Sequence, residues 1–320
     1  MLANLLTIFF VLISQLGLGT SGQDFLTKAW AKYLPSPSPL VAQAGGEQRL
    51  DLAAEMVATL APLPGKISDA APAPLIDARS VIAIDAATKE TLFAQNEKQE
   101  LPMASITKVM TSLLVIEAGN LADTVTVKTE DVIELGSDID LKAGEEIKLE
   151  DLLKAALIKS ANDAATAMAR HVGGDDVDNF VAMMNNRAKE LGLTDTHYSN
   201  PHGFDEAGHY SSARDIALLM SYAMANETFR DIVAMKQHQT RFLNFDEREI
   251  NIVATNKLLI KDDLLIEGGK TGFTDEAGEC LVTVAKNPDQ NRIIIVILNS
   301  PDRFGETQKL INYIFKQYRW

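Results

Sequence analysis

Between residues 78 and 320, strand-forming runs stand at the two ends and mostly helical patterns lie between them, which constrains the fold more than any single motif. On the N-terminal side, "SVIAIDAATKETLFAQN" carries two β-rich runs around "DAATKE" and reads as a hairpin over 80–95. On the C-terminal side, "ECLVTVAK" and "NRIIIVILNS" flank the turn-rich "NPDQN", and an amphipathic helix in "RFGETQKLINYIFKQY" closes the chain. Helical patterns dominate from about 103 to 235, in "LEDLLKAALI", "NDAATAMARHVGG", "VDNFVAMMNNRAKELG" and "SARDIALLMSYAMA". In the last of these, Ser212 and Asp215 have the spacing of a capping box. A lone two-stranded ribbon is marginal in water, so the two ends must meet. The expected fold is α+β: an antiparallel sheet built from N- and C-terminal segments, helices on its faces, and an inserted helical region.

The 320-residue chain is 46% hydrophobic, enough for one sizeable core with appendages. Residues 1–22 form an apolar segment, an N-terminal anchor or a secretory signal. Both readings imply export, although Lys28 and Lys32 just beyond the segment run against the positive-inside rule. Residues 23–77 read as a tether rich in Pro and Ala, with "LPSPSPL" and "DAAPAPL", and "EQRLDLAAEMVATLA" as a short helix within it. The compact domain is expected over 78–320. A net charge of −14 repels phosphate backbones and disfavours nucleic acid as a partner. Cys280 is the only cysteine, which excludes an intramolecular disulfide and a Cys-rich metal centre; in "ECLVTVAK" it reads as a small buried hydrophobe.

Within "LPMASITKVMTSLLVIEAG", residues 101–119, Ile106, Val109, Met110, Leu113 and Ile116 recur at helical spacing and mark a core face. Pro102 fits the first helical turn and Gly119 a C-cap. Ser105 and Lys108 are three apart and project from one side of this helix. A cap and a snorkelling lysine would account for the pair. The alternative is a desolvated amine of lowered pKa that takes the proton of Ser105 and makes it a nucleophile. That reading requires a proton-relay group, and a second cationic site that binds substrate and disfavours protonation of Lys108.

Two later stretches meet those requirements. "ALIKSANDAATAMA" holds Ser160 and Asn162 at the break between two helical patterns, where such residues also serve as caps. "IEGGKTGFTDEAGECL" holds Lys270, Thr271 and Gly272 entering a strand, behind Gly268 and Gly269, which suit either a turn or close approach of a ligand to the backbone. S-x-x-K, S-x-N and K-T-G in this order are the signature of penicillin-recognising serine hydrolases.

With "MASITKVMTSLL", "SANDAA", "YSNPHGFDEAGHYSSARDIALLM", "TNKLL" and "GGKTGFTDEAGECLV", the chain from about 79 onward resembles the D-alanyl-D-alanine carboxypeptidase family, the low-molecular-mass penicillin-binding proteins. The resemblance implies a β-lactamase/transpeptidase-like fold, peptidoglycan stem peptides as substrate and β-lactam antibiotics as covalent inhibitors. It implies Ser105 as the acylated nucleophile, Lys108 as its general base and Ser160 as proton relay. Asn162 would hold a substrate amide, and Lys270 and Thr271 the terminal carboxylate, with Gly272 keeping the strand unobstructed. The backbone N–H groups of Ser105 and Phe273 would form the oxyanion hole. No metal or cofactor is implied. Many relatives continue past the closing helix into a β-rich domain and a membrane helix; here the expectation is that the N-terminal segment does the tethering, in the cell envelope.

Competing readings are weaker. A class A β-lactamase needs a deacylating glutamate, but Glu247 in "EREIN" falls far too late in the chain. His197, His202, His209 and Asp205 in "HYSNPHGFDEAGH" lack the helical H-E-x-x-H pairing of zinc peptidases and suit positioning roles. The acidic run "EDVIELGSDIDLKAGEE" lacks an EF-hand pattern and reads as a solvated loop and strand region. The motifs leave open DD-endopeptidase, transpeptidase, or an inactive cell-wall-binding protein as alternatives to a carboxypeptidase.

Overall fold

The computed structural model describes residues 63–67, 72–133, 135–244, 248–260 and 266–320. The expected segment 1–22 and the helix expected in 47–61 lie outside them. In chain order, β1 (Gly65–Lys66), β2 (Ser80–Asp85) and β3 (Thr91–Gln95) lead to a tight 3-10 turn at Ala104–Thr107 and helix α1 (Lys108–Ala118). Short strands β4 (Thr124–Thr126) and β5 (Glu146–Lys148) precede α2 (Leu149–Lys154), a π-helical turn (Ala155–Lys159), α3 (Asn162–Val172) and α4 (Val177–Glu190). Then come α5 (Ala213–Ala223), α6 (Glu227–Val233), the ribbon β6 (Gln237–Arg241) and β7 (Glu249–Val253), and α7 (Lys257–Ile260). Strands β8 (Ile266–Thr274), β9 (Gly278–Lys286) and β10 (Arg292–Ser300), helix α8 (Arg303–Gln317) and β11 (Tyr318–Arg319) complete the chain.

The two ends meet as expected. The main sheet has five strands in the order β3-β2-β10-β9-β8, every neighbour antiparallel, with β2 laid against β10 in the register Ile84↔Ile294. Alternation along the strands divides the sheet into two faces. Val81, Ala83, Ile293, Ile295 and Ile297 pack with Leu310 and Ile314 of α8 on one face. Ile82, Ile84, Val282, Val284, Ile294 and Val296 join the helical core on the other. Strand β8 is left at an edge, where its outer side is available to something that is not part of the sheet. Residues 65–66 pair with Tyr318–Arg319 in a separate two-stranded sheet.

Helix α1 differs from its expected one-sided form. Every residue from Lys108 to Val115 is buried, while Ile116 is only half-buried. The helix runs through the middle of the lobe and touches α3, α4, α5 and α6, so only its last turn, at Glu117 and Ala118, faces water. Pro102 stands before the opening 3-10 turn rather than within the first helical turn. Gly119 does cap the C-terminus, but with extended backbone (φ −93°, ψ 148°) instead of the left-handed form. The Ser212 capping box is half made: Ser212 Oγ accepts from Asp215 N at 3.1 Å, while the Asp215 carboxylate turns to Asp195 N and Thr196 Oγ1.

The acidic run also departs from the expected solvated form at two positions. Asp131 is wholly buried and pairs with Arg170 at 2.7 Å, and buried Glu145 pairs with Arg248. A carboxylate can leave water only with a cation or several N–H groups beside it, and the sequence offers no local sign of these distant partners. Cys280 is buried in β9, as its strand context implies.

Candidate active site

Three chain-distant segments converge on the outer side of β8. The first is the 3-10 turn that begins α1. Ala104 has φ 48°, the left-handed region, and this sharp backbone reversal presents Ser105 at the head of the helix. One turn on, Lys108 Nζ lies 2.9 Å from Ser105 Oγ.

The second is the break between α2 and α3. The chain underwinds into the π-helical turn at 155–159, and Ser160 then adopts φ 70°, ψ 27°, ending one helix before Asn162 begins the next. A π-turn followed by a left-handed residue turns the Asn162 side chain inward, where its Oδ1 accepts from Lys108 Nζ at 2.7 Å. Asn162 Nδ2 donates to Leu135 O at 2.9 Å, which settles which end of the amide faces the lysine.

The third is β8. Lys270 Nζ, wholly buried, donates to Ser160 Oγ at 2.8 Å and to Thr271 O at 2.9 Å. Thr271 Oγ1 lies 2.6 Å from Thr255 Oγ1. Gly272 is required by close approach: a Cβ there would stand 2.8 Å from Met103 O and 3.1 Å from Ser105 N. This brings β8 against the turn that carries Ser105, and Phe273 follows, 60% exposed. All eight residues named from the sequence therefore lie on three adjoining segments.

The partners of Lys108 decide what its amine can do. His202 O accepts at 2.6 Å, so two contacts, His202 O and Asn162 Oδ1, are acceptor-only. A neutral amine has two N–H groups and one lone pair. The N–H groups are taken by those two acceptors, which leaves the lone pair for the hydroxyl of Ser105. An ammonium would satisfy the same three partners with three donors. The proton can thus pass between Ser105 and Lys108 without stranding a buried group.

Electrostatics point the same way. Burial pushes the Lys108 pKa well below its usual value, the neighbouring Lys270 charge pushes it further, and Asp163 acts in the opposite direction. Burial lowers Lys270 to about 7, with Arg303 adding to the effect. Asp163 is itself raised by burial, against hydrogen bonds from Ile139, Leu141 and Ala164 N–H groups.

Several participants carry no sequence motif. His202 contributes a backbone carbonyl, which no side-chain pattern announces. Asp163, next to Asn162, looks like an ordinary helix-cap residue. Arg303 heads α8, far from any motif, yet its Nη1 donates to Gly272 O at 2.7 Å; its Nε stands 3.9 Å from Glu279 Oε2, an ion-pair separation without a hydrogen bond. The histidines and Asp205 of "HYSNPHGFDEAGH" disperse rather than converge. His197 Nδ1 donates to Gly208 O at 2.7 Å, His202 packs on Phe204, and Asp205 accepts from Thr274 Oγ1 at 2.7 Å. Burial and the nearby Lys108 and His209 charges lower His202 to about 3. No cluster of His, Cys, Asp and Glu fit to hold a metal occurs among the described residues.

Comparison with known proteins places the chain in a family. The D-alanyl-D-alanine carboxypeptidase family profile matches residues 67–302. D-alanyl-D-alanine carboxypeptidase DacF of Bacillus subtilis is 35% identical over 76% of this chain and 63% of its own length. DacC of Escherichia coli is 34% identical over 76% and 62%. The chain thus spans less than two thirds of the length of these relatives. Among solved structures, the DD-transpeptidase of Streptomyces K15 superposes with a TM-score of 0.73 at 30% identity, covering 77% of this chain and all of its own. A D-alanyl-D-alanine carboxypeptidase of Mycobacterium tuberculosis gives 0.71 at 28% identity, covering 79% and 96%. The chain belongs to the D-alanyl-D-alanine carboxypeptidase family and has its β-lactamase/transpeptidase-like fold.

Proposed function

We propose that this member of the D-alanyl-D-alanine carboxypeptidase family removes the terminal D-Ala of peptidoglycan stem peptides through an acyl-enzyme on Ser105. The observation that carries the reading is the buried amine of Lys108, its N–H groups held by two acceptor-only partners and its third contact the Ser105 hydroxyl at 2.9 Å. Ser105 Oγ attacks the carbonyl of the penultimate D-Ala and Lys108 takes the proton. The charge on the carbonyl oxygen is stabilised by the N–H groups of Ser105 and Phe273. The C–N bond breaks as the proton held by Lys108 passes through Ser160 to the leaving amine, which returns Lys108 to its neutral form, and the peptide remains as an ester of Ser105. Water then adds to the ester, giving up its proton to Lys108, and the shortened peptide leaves with the hydroxyl restored.

Lys270 and Thr271 hold the terminal carboxylate, and Asn162 a substrate amide. The β-lactam ring presents the same carbonyl and carboxylate, so penicillins acylate Ser105. A stem-peptide substrate assigns the protein to the cell envelope, where an N-terminal segment anchors or exports it. An amine in place of water would give transpeptidation, the reaction for which the Streptomyces neighbour is named.

The test combines labelling with product analysis. Fluorescent penicillin is expected to label the protein covalently and Ser105→Ala to abolish the label. Purified protein incubated with stem pentapeptide and with cross-linked dimer is expected to release terminal D-Ala from the first and leave the second intact, read by mass. Cleavage of the dimer instead would make it an endopeptidase. A well-folded protein that takes no label would be an inactive binder.

A further inference from the structure

A buried hydrogen-bond chain runs from the loop after α4 into the turn that carries Ser105. Ser199 N donates to His209 Nδ1 at 3.0 Å, so this nitrogen carries no proton and the ring is the Nε2–H tautomer. His209 Nε2 lies 2.7 Å from Thr107 Oγ1 and therefore donates to it. The Thr107 hydroxyl, with its lone pair engaged, gives its only proton to Ala104 O at 2.8 Å. Every donor and acceptor in the sequence Ser199, His209, Thr107, Ala104 is thus fixed in direction, and Thr107 and His209 are both buried. The chain ends on Ala104, the residue with φ 48° just before the nucleophile.

What that carbonyl controls is the N–H of the next residue. The C=O and N–H of one trans peptide point in opposite directions in one plane. Holding Ala104 O from behind therefore aims Ser105 N–H to the front. Gly203 closes over the same carbonyl, where a Cβ would sit 2.1 Å from Ala104 O, so the peptide has no room to swing. The second amide of the expected oxyanion hole is built alike: Arg303 Nη1 holds Gly272 O at 2.7 Å, which turns Phe273 N–H the other way.

We propose that His209, acting through Thr107, is a positioning residue that aims the Ser105 amide at the developing oxyanion. His209 touches no substrate atom in this role. The inference rests on the acyl-enzyme reading given above and adds a group that the motifs do not include. Its effect is confined to the transition state, because a planar ground-state carbonyl gains less from the aimed amide than a tetrahedral oxyanion does.

Thr107→Val keeps the side chain's shape and removes both hydrogen bonds; Thr107→Ser keeps the hydroxyl. Acylation by fluorescent penicillin is expected to fall on the order of tenfold to a hundredfold in Thr107→Val, with KM for stem pentapeptide little changed, and to return in Thr107→Ser. Affinity for a D-Ala-type boronic acid, which forms a tetrahedral adduct, is expected to fall by the same factor. His209→Phe should match Thr107→Val, and the double variant should be no worse than either alone. Nitrogen-15 NMR of the unmodified protein should find His209 as the Nε2–H tautomer. Acylation unchanged in folded Thr107→Val, a loss that Thr107→Ser does not restore, or the Nδ1–H tautomer would each overturn the proposal. Should Thr107→Val not fold, His209→Phe and the tautomer decide it. Unmodified protein that takes no penicillin would remove the hydrolase reading and this role with it, whereas a labelled protein indifferent to Thr107→Val would remove this role alone.

Discussion

Two lysines sit at the site, one on the turn that opens α1 and one on the edge strand β8, and both are buried to the same degree. Burial lowers both pKa values, yet the surroundings fit them for different work. Lys108 has two acceptor-only partners and a hydroxyl, so its proton can leave and return with every neighbour satisfied. Lys270 has one hydroxyl and the carbonyl of Thr271, no carboxylate among the described residues pairs with it, and Arg303 repels it from beyond. A buried cation without a counter-ion is a place prepared for an anion. The comparison teaches that desolvation sets the direction of a lysine's shift, and that the count of acceptor-only neighbours fits one lysine for the proposed base and the other for the proposed anion site.

The largest expected effect tests the base. Lys108→Met should slow acylation by about 10²–10⁴-fold with little change in KM, measured by stopped-flow with a chromogenic penicillin. A loss below tenfold would place the base elsewhere and erase the distinction between the two lysines.

Lys270→Met should act on the substrate's charge instead. The kcat/KM for a peptide ending in a free carboxylate is expected to fall about a hundredfold more than that for the C-terminally amidated peptide, which loses only the effects of Lys270 on Lys108 and Ser160. The same variant sharpens the comparison through stability. The Lys270 ammonium has a pKa of 10.5 in the unfolded chain and about 7 in the fold, so between those values the unfolded state binds more protons. Stability therefore rises with pH across that window. Urea unfolding at both ends of the window should show a shallower rise in Lys270→Met; an equal rise would mean that Lys270 keeps its ordinary pKa.

The smallest effect concerns Arg303. The proposed carboxylate binding uses charged Lys270, so kcat/KM should decline as pH rises through about 7. Removing the Arg303 charge in Arg303→Met should move that basic limb upward by about half a pH unit. A limb that stays in place would show that burial alone sets the Lys270 pKa.

Much of the arrangement was legible in the chain. The terminal strand runs announce the sheet because alternating and continuous apolar runs leave few alternatives once both ends must be covered. Ser105 and Lys108 are legible as a pair because helical geometry fixes their common side at short range. Less was legible where the local pattern is ordinary. The π-turn before Ser160 comes from "AALIK", which reads as plain helix, and the packing around it sets the underwinding. Asp131 looks solvated in an acidic run until Arg170, 39 residues away, is folded beside it. Thr107 and His209 each pass for a buried polar residue until the distance between them is known.

By itself the sequence determined which residues could do chemistry, the order in which they occur, and the strand runs that must pair, because propensity and periodicity act between near neighbours. Only the tertiary structure decided that the Lys108 amine meets two carbonyl-type acceptors, that Arg303 backs Gly272, and that His209 reaches Thr107. Those contacts join residues far apart in the chain. Their existence depends on where whole helices and strands come to rest, and that is settled by the packing of the entire core.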